Sequence, residues 1–352
     1  MNATMSQSVI ETLADLVRIP SVNPNYSDGT GELAVARYVE SFFADRGIPT
    51  MRQAVLEDRP NVIAKVPGSL STGRVILEAH MDTVSAAGMT IDPFSGSIRD
   101  GKLYGRGACD TKAGLAAMMH AVADLVRLGL TPKREVWLAA TIDEEYSYRG
   151  VAKLCEGDLS ADAAIVAEPT ELRPVIASKG LERWKIETVG KAAHSAKPHL
   201  GINAIEHMAR IITALEEDTR SLSDTPHPLL GPATCNIGVI RGGVQINFVP
   251  DRCEIEIDRR LLPGETVEVV LAHYQSIVDT VARDTNDMQV ITHPPMLTDL
   301  PLQTDHQADA VQTMVQVLEQ CSLPSDVCGV PFCSDASKFG ALGIPSLIMG
   351  PG

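Results

Sequence analysis

Residues 74–84 read RVILEAHMDTV, and residues 135–147 read EVWLAATIDEEYS. Each opens as a short apolar run and closes on histidine or carboxylate side chains. Runs rich in Val, Ile, Leu and Ala with no polar alternation suit strands buried on both faces, as in a parallel sheet. Ala163 to Ala167 is a third such run, followed by Glu168 and Pro169. Before the first run, Glu32 to Arg46, and between the first two, Lys112 to Leu128, carry apolar residues at helical spacing and stop at Gly47 and Gly129. Strands alternating with helices predict an α/β sandwich with a largely parallel sheet. In such a sheet ligands bind outside the carboxyl ends of the strands. His80, Glu144, Glu145 and Glu168 all fall at such ends.

Further along, the texture changes. From about Ser178, alternating strands are predicted at Glu182 to Val189, Thr234 to Val239 and Cys253 to Asp258, with another strand at Gln289 to Thr292. Helices are predicted at Ile202 to Leu215 and Thr266 to Val281. The β-α-β-β-α-β order fits a ferredoxin-like α+β unit. The expected organisation is therefore a first domain over residues 1–177, an inserted domain over 178–293, and a return to the first domain over 294–352.

Composition narrows the function. The chain has 352 residues, 44% of them hydrophobic and 21% charged, in the range of ordinary globular proteins. With 30 Lys and Arg against 45 Asp and Glu, its formal net charge is −15. That balance disfavours nucleic acid and anionic membrane as partners. The N-terminal stretch does not read as a signal peptide, and no apolar run is long enough for a membrane span. Seven scattered cysteines without a C-x-x-C pair suggest reduced thiols and a cytoplasmic location.

Several residues could carry chemistry. His80 with Asp82 two positions on suits a metal ligand and its orienting partner, although a buried His bonded to an Asp is also commonplace. Asp110 ends GRGACD at the start of a helix, where an N-cap or a metal bridge both fit. Lys112 beside it reads as a local charge partner. Asp143, Glu144 and Glu145 form either a solvated turn or, behind a buried strand, a cluster that needs a cation. One histidine and several carboxylates make the N/O donor set expected for zinc hydrolases. In the second domain His194 lies in a loop, with His199 read as polar surface. Arg260 is either a strand-edge solubility residue or, with Asn247, a clamp for a carboxylate.

The succession HMD, DGKLYGRGACDTK, DEE and EPT, with GKAAHSAKP, GINAIE and DRRLLPG in the second domain, resembles a known family. It is that of the two-zinc metallopeptidases that include acetylornithine deacetylase, succinyl-diaminopimelate desuccinylase and glutamate carboxypeptidase. EPTELRPVIASKG and His293-Pro294-Pro295 are most similar to acetylornithine deacetylase. The resemblance implies a zinc-peptidase-like catalytic domain and an inserted dimerisation domain. It implies two Zn²⁺ per subunit, replaceable by cobalt, and a homodimer that hydrolyses the amide bond of small N-acylated amino acids. His80 and Glu168 then bind one ion, Glu145 the other, and Asp110 both. Asp82 stands behind His80, and Glu144 is the general base. His194 acts across the dimer interface, and Asn247 and Arg260 hold the substrate carboxylate.

The family also implies a further ligand histidine beyond the Gly350-Pro351-Gly352 end of this sequence. His306 is a poor substitute for it. Desuccinylase or dipeptidase activity is the alternative within the family. A non-catalytic, ligand-binding or dimerising member is the alternative outside it.

Overall fold

The computed structural model describes residues 8–352. The chain divides into two units. One runs to Ile176 and takes up Gln303–Cys328 and Ser334–Gly352; the other is Ala177–Leu302 with Gly329–Cys333.

The first unit is built on a mixed sheet. Its strands lie in the order Thr50–Leu56, Arg59–Val66, Glu135–Thr141, Arg74–His80, Ala163–Val166, Ser346–Ile348. The last four are parallel neighbours, and Arg59–Val66 is antiparallel to Glu135–Thr141. Helices Leu33–Ala44 and Lys112–Arg127 pack on one face, where Val62, Ala64, Leu138 and Ala140 meet Val39, Phe43, Leu115 and Met119. On the alternate pleat Ile63, Ile76 and Ala139 are equally buried. Both faces are thus covered, which is why these strands read as unbroken apolar runs. Truncating a side chain such as Leu115 to Ala should cost about 2–5 kcal/mol.

Strand Thr50–Leu56 was not foreseen. It lies at the sheet edge, mostly half-buried or exposed, so its sequence TMRQAVL carries no apolar signature.

Strand register then places the chemistry. His80 pairs with Thr141, and Glu78 pairs with Val166, which brings Glu168 level with His80 two residues later. Helix Lys112–Arg127 comes close to the same edge because Gly114 has no Cβ; one added there would collide with Ala167. Thr111 Oγ1 donates to the Ala167 carbonyl at 2.9 Å and fixes that approach.

The second unit is an antiparallel sheet in the order Thr234–Gly242, Arg252–Leu261, Gly180–Val189, Gln289–Thr292, with Leu297–Asp299 also paired to Gly180–Val189. Counted along the chain, its four main strands lie 2-3-1-4, the order of the ferredoxin-like unit. One face packs Trp184, Ile186, Ile255 and Ile257 against Met208, Ile211, Tyr274 and Val278 of helices Ala204–Ser221 and Val267–Arg283. The other face carries ion pairs such as Arg183–Asp258 (2.7 Å) and Lys185–Glu254 (3.1 Å). That alternation is the sequence pattern from which the strands were read.

Candidate metal centre

His80, Asp110 and Glu168 each turn one donor atom toward a common point, the three atoms lying within 4.8 Å of one another. His80 and Glu168 are buried, while the Asp110 side chain is half exposed. The Nδ1 of His80 faces Asp82, 3.0 Å from its carbonyl and 3.6 Å from its carboxylate. With Nδ1 so occupied, Nε2 is turned to Asp110 Oδ1 at 3.2 Å. Asp110 is not the helix cap. That position belongs to Thr111, which makes no side-chain cap bond, so the Asp110 carboxylate remains directed at the histidine.

The three consecutive acids separate. Asp143 turns inward, with φ +68°, and is fully buried. It accepts from Arg149 at 2.6 Å, Arg59 at 3.0 Å, Ser147 at 2.8 Å and Asn23 at 2.9 Å. Its negative charge is met by arginines, not by a metal, and these contacts outweigh burial to hold its pKa below the ordinary value. Glu144 has no such partner: its carboxylate lies 3.9 Å from His80 Nε2. Burial, then the neighbouring Glu168, pushes its pKa well above the usual range. Glu168 is raised likewise, by burial and by Asp110 among other acids. Burial lifts Glu145 to about 7, with Asp110 and Asp82 adding to the rise. Burial opposes charge on His80, but the Asp110 hydrogen bond and the surrounding carboxylates prevail and raise its pKa well above normal. Among the described residues no lysine or arginine forms an ion pair with Glu144, Glu145 or Glu168. An imidazole and clustered carboxylates without a counter-charge are the donor set a divalent cation fits.

Lys112 is not the charge partner it was expected to be. Its ammonium is fully buried and donates to the carbonyls of Leu16 (3.0 Å) and Ile19 (2.8 Å), closing the C-terminal end of helix Val9–Arg18. Burial lowers its pKa to about 7.

The remaining predicted residues belong to the second unit. His194 is exposed, on a two-residue strand paired with Phe248–Val249. Its Nδ1 accepts from the Ala196 N–H at 3.1 Å, so a neutral ring carries its proton on Nε2. Asn247, also exposed, accepts from the Ser195 N–H through its carbonyl at 3.0 Å. Arg260 stands on Arg252–Leu261, an interior strand and not an edge. Asp258 receives its Nε at 2.7 Å, and Cys333 Sγ lies 3.6 Å from its Nη1.

Two features escaped the sequence reading. Glu78 is fully buried beneath His80 and accepts from Thr141; a lone acid inside RVILEAH was a legible signal. Asn23 contacts two carboxylates from a loop whose sequence, PSVNPN, reads only as a turn.

The profile of the peptidase family M20/M25/M40 matches residues 76–352, and the chain belongs to that family of hydrolases. It is 31% identical over 360 residues to an acetylornithine deacetylase of Myxococcus xanthus, covering 97% of this chain and 88% of the relative. It is 31% identical over 332 residues to a probable succinyl-diaminopimelate desuccinylase of Staphylococcus aureus, covering 85% and 79%. Among solved structures, a family M20 metallo-carboxypeptidase of Sulfolobus solfataricus superposes with a TM-score of 0.79 at 18% identity, covering 97% of this chain and 92% of that one. The likeness to that structure establishes the α/β fold of this chain.

Proposed function

We propose that this family member hydrolyses the amide bond of small N-acylated amino acids, as an acetylornithine deacetylase-like enzyme with two Zn²⁺ per subunit. The observation that carries the reading is the convergence of His80, Asp110 and Glu168 within 4.8 Å, with the Glu144 carboxylate 3.9 Å from the same imidazole. His80 and Glu168 would hold one ion, Glu145 the other, and Asp110 both. Bound there, divalent ions supply Lewis acidity and lower the pKa of a water to near neutrality. Glu144, buried with its carboxylate 3.9 Å from His80 Nε2, takes the attacking water's proton and delivers it to the departing nitrogen. Asp82 keeps His80 in the tautomer whose Nε2 is free of hydrogen.

Residues of the second unit are assigned to the substrate. His194 Nε2–H would reach across a dimer interface and donate to the carbonyl oxygen that gains charge in the partner subunit's substrate, and the Arg260 guanidinium with Asn247 would receive the carboxylate. We further propose that the second unit is the dimerisation domain. It exposes Ile240, Val244, Ile246 and Phe248, the last paired with His194, an apolar surface that a second copy would cover. All seven cysteines are free thiols, which supports a reducing compartment such as the cytoplasm. Among the described residues no helix is long and apolar enough to cross a membrane.

The decisive experiment is a rate panel of N-acetyl and N-succinyl amino acids and dipeptides, with and without added zinc. N-acetyl amino acids should be cleaved fastest, and only with metal. Preferred cleavage of N-succinyl substrates would make the chain a desuccinylase, and no cleavage of any would favour a binding role. Glu144→Gln should lose on the order of 10²-fold or more in kcat while keeping zinc. Parallel loss of zinc would make Glu144 a ligand.

A further inference from the structure

Asn23 sits in the loop between helices Val9–Arg18 and Leu33–Ala44 and is fully buried. The loop runs alongside the segment that follows His80. Asn23 N–H donates to the Thr83 carbonyl at 2.9 Å, and Thr83 N–H donates to Ser21 at 3.0 Å. These bonds deliver the Asn23 side chain to the gap between two carboxylates. Its amide nitrogen donates to Asp82 Oδ2 at 2.8 Å and to Asp143 Oδ1 at 2.9 Å. Its oxygen accepts from the Asn25 backbone N–H at 3.1 Å, which fixes which end of the amide faces the acids.

Each carboxylate has a separate further task. Asp82 receives the backbone N–H groups of Glu144 (3.1 Å) and Glu145 (3.2 Å) and lies beside His80 Nδ1. It therefore sets the histidine's orientation and also the turn that presents both glutamates. Asp143 belongs to the arginine-neutralised group. The two amide hydrogens of Asn23 are the direct link between these groups.

We infer that Asn23 is a positioning residue of the metal centre: by bridging Asp82 and Asp143 it holds Asp82 against His80 and the Glu144–Glu145 turn, and so sets metal affinity. This inference rests on the metal-centre reading above. The physical reason is electrostatic as well as geometric. Without the bridge, two buried carboxylates confront each other with no hydrogen between them, and Asp82 is held against the imidazole only by the Glu144 and Glu145 backbone N–H groups, with its repulsion from Asp143 pulling against them. Outer partners of ligand histidines commonly govern metal affinity by 10–100-fold.

The test uses the full chain, stripped of metal, and zinc alone as the probe. Zinc affinity is measured by competition with a chromophoric chelator, together with the visible spectrum of the cobalt form, kcat, KM and the metal-free Tm. Asn23→Leu should weaken zinc binding by about 10–100-fold and alter the cobalt band. It should lower kcat and leave KM within about twofold, because Asn23 acts through the metal-side groups and not on substrate. Asp28→Asn is the control. Asp28 ties the same loop to Ser85 Oγ and the Ala86 N–H, each at 2.8 Å, so this variant loosens the loop without touching the bridge. Its zinc affinity should stay at the wild-type value.

Unchanged affinity in Asn23→Leu, or an equal loss in Asp28→Asn, would overturn the inference, since loop order alone would then explain the result. If Asn23→Leu does not fold, Asn23→Ser, which leaves one hydroxyl hydrogen for two carboxylates, is judged by the same criteria. A wild-type chain that takes up no zinc would sink the metal-centre reading itself, a result distinct from either of these.

Discussion

Two acidic regions meet at the carboxyl end of the sheet and differ in how their charge is balanced. Around Asp143, the carboxylates of Glu32 and Asp143 face the guanidinium groups of Arg59 and Arg149 at 2.6–3.0 Å. Around Glu144, the carboxylates of Asp110, Glu144, Glu145 and Glu168 face a single imidazole. The first region is complete as folded. The second holds excess negative charge, and burial together with neighbouring carboxylates raises the pKa of Glu144 and Glu168. Asp143 and Glu144 are adjacent in sequence, so neither composition nor spacing separates them. Their surroundings do: unbalanced buried charge marks the ligand site, and balanced charge marks its support.

Glu168→Gln gives the largest expected contrast. Zinc affinity and activity should each fall on the order of 10²-fold or more, beyond the effect of an outer partner. The metal-free protein should be at least as stable as wild type, because a buried like charge is removed. Equal losses of stability with and without metal, measured by urea unfolding, would place Glu168 in the supporting region instead.

Arg59→Met should do the reverse. It leaves the buried carboxylates of Glu32 and Asp143 without their shared cation, so unfolding free energy should drop by about 3–5 kcal/mol whether or not zinc is present. A change below about 1 kcal/mol, the value of a surface pair, would break the comparison.

Glu145 and Asp143, one from each region, should also respond to pH with opposite sign. The Glu145 pKa rises from 4.5 unfolded to about 7 folded, so between these values the native state retains a proton that the unfolded chain has lost. Its contribution therefore weakens the metal-free protein as pH rises from about 4.5 to 7. Asp143, with its folded pKa below the ordinary 3.8, contributes stability that is present above 3.8 and lost as pH falls through the folded value. Zinc binding below pH 7 should release protons from Glu145, detectable by calorimetry in buffers of different ionisation enthalpy. Because His80 and Glu168 also have raised pKa values and release protons, Glu145→Gln should lower the number of protons released, and an unchanged number would assign that share elsewhere. The smallest effect belongs to Arg149→Ala. Its side chain is 41% exposed and Arg59 remains on Asp143, so a loss of about 0.5–1 kcal/mol is expected. A loss as large as that of Arg59→Met would show that the two arginines share the load equally.

Part of this was legible in the sequence. Apolar runs ending in His80, Glu144 and Glu168 specified buried strands with polar tips, because a strand covered on both faces accepts an interior charge only where it finds a partner, as Glu78 does in Thr141. Alternation in Cys253 to Asp258 specified a sheet with one wet face for the same kind of reason. The edge strand Thr50–Leu56 was not legible, since an edge buries too little to leave a pattern. Nor was the fate of Lys112. A lysine beside an aspartate suggests an ion pair, but its stem runs into the core and its ammonium finds carbonyls instead.

The sequence by itself determined which residue types stand at the strand ends, and therefore the family and the donor chemistry. That information is local, carried by runs of a few residues whose periodicity follows from burial. Only the tertiary structure decided which acid of Asp143, Glu144 and Glu145 is neutralised and which are left to a metal. The deciding partners, Asn23, Arg59 and His80, lie tens to more than a hundred residues away along the chain. Charge balance acts through space, across a few ångströms of low-dielectric interior, and no pattern along the chain encodes it.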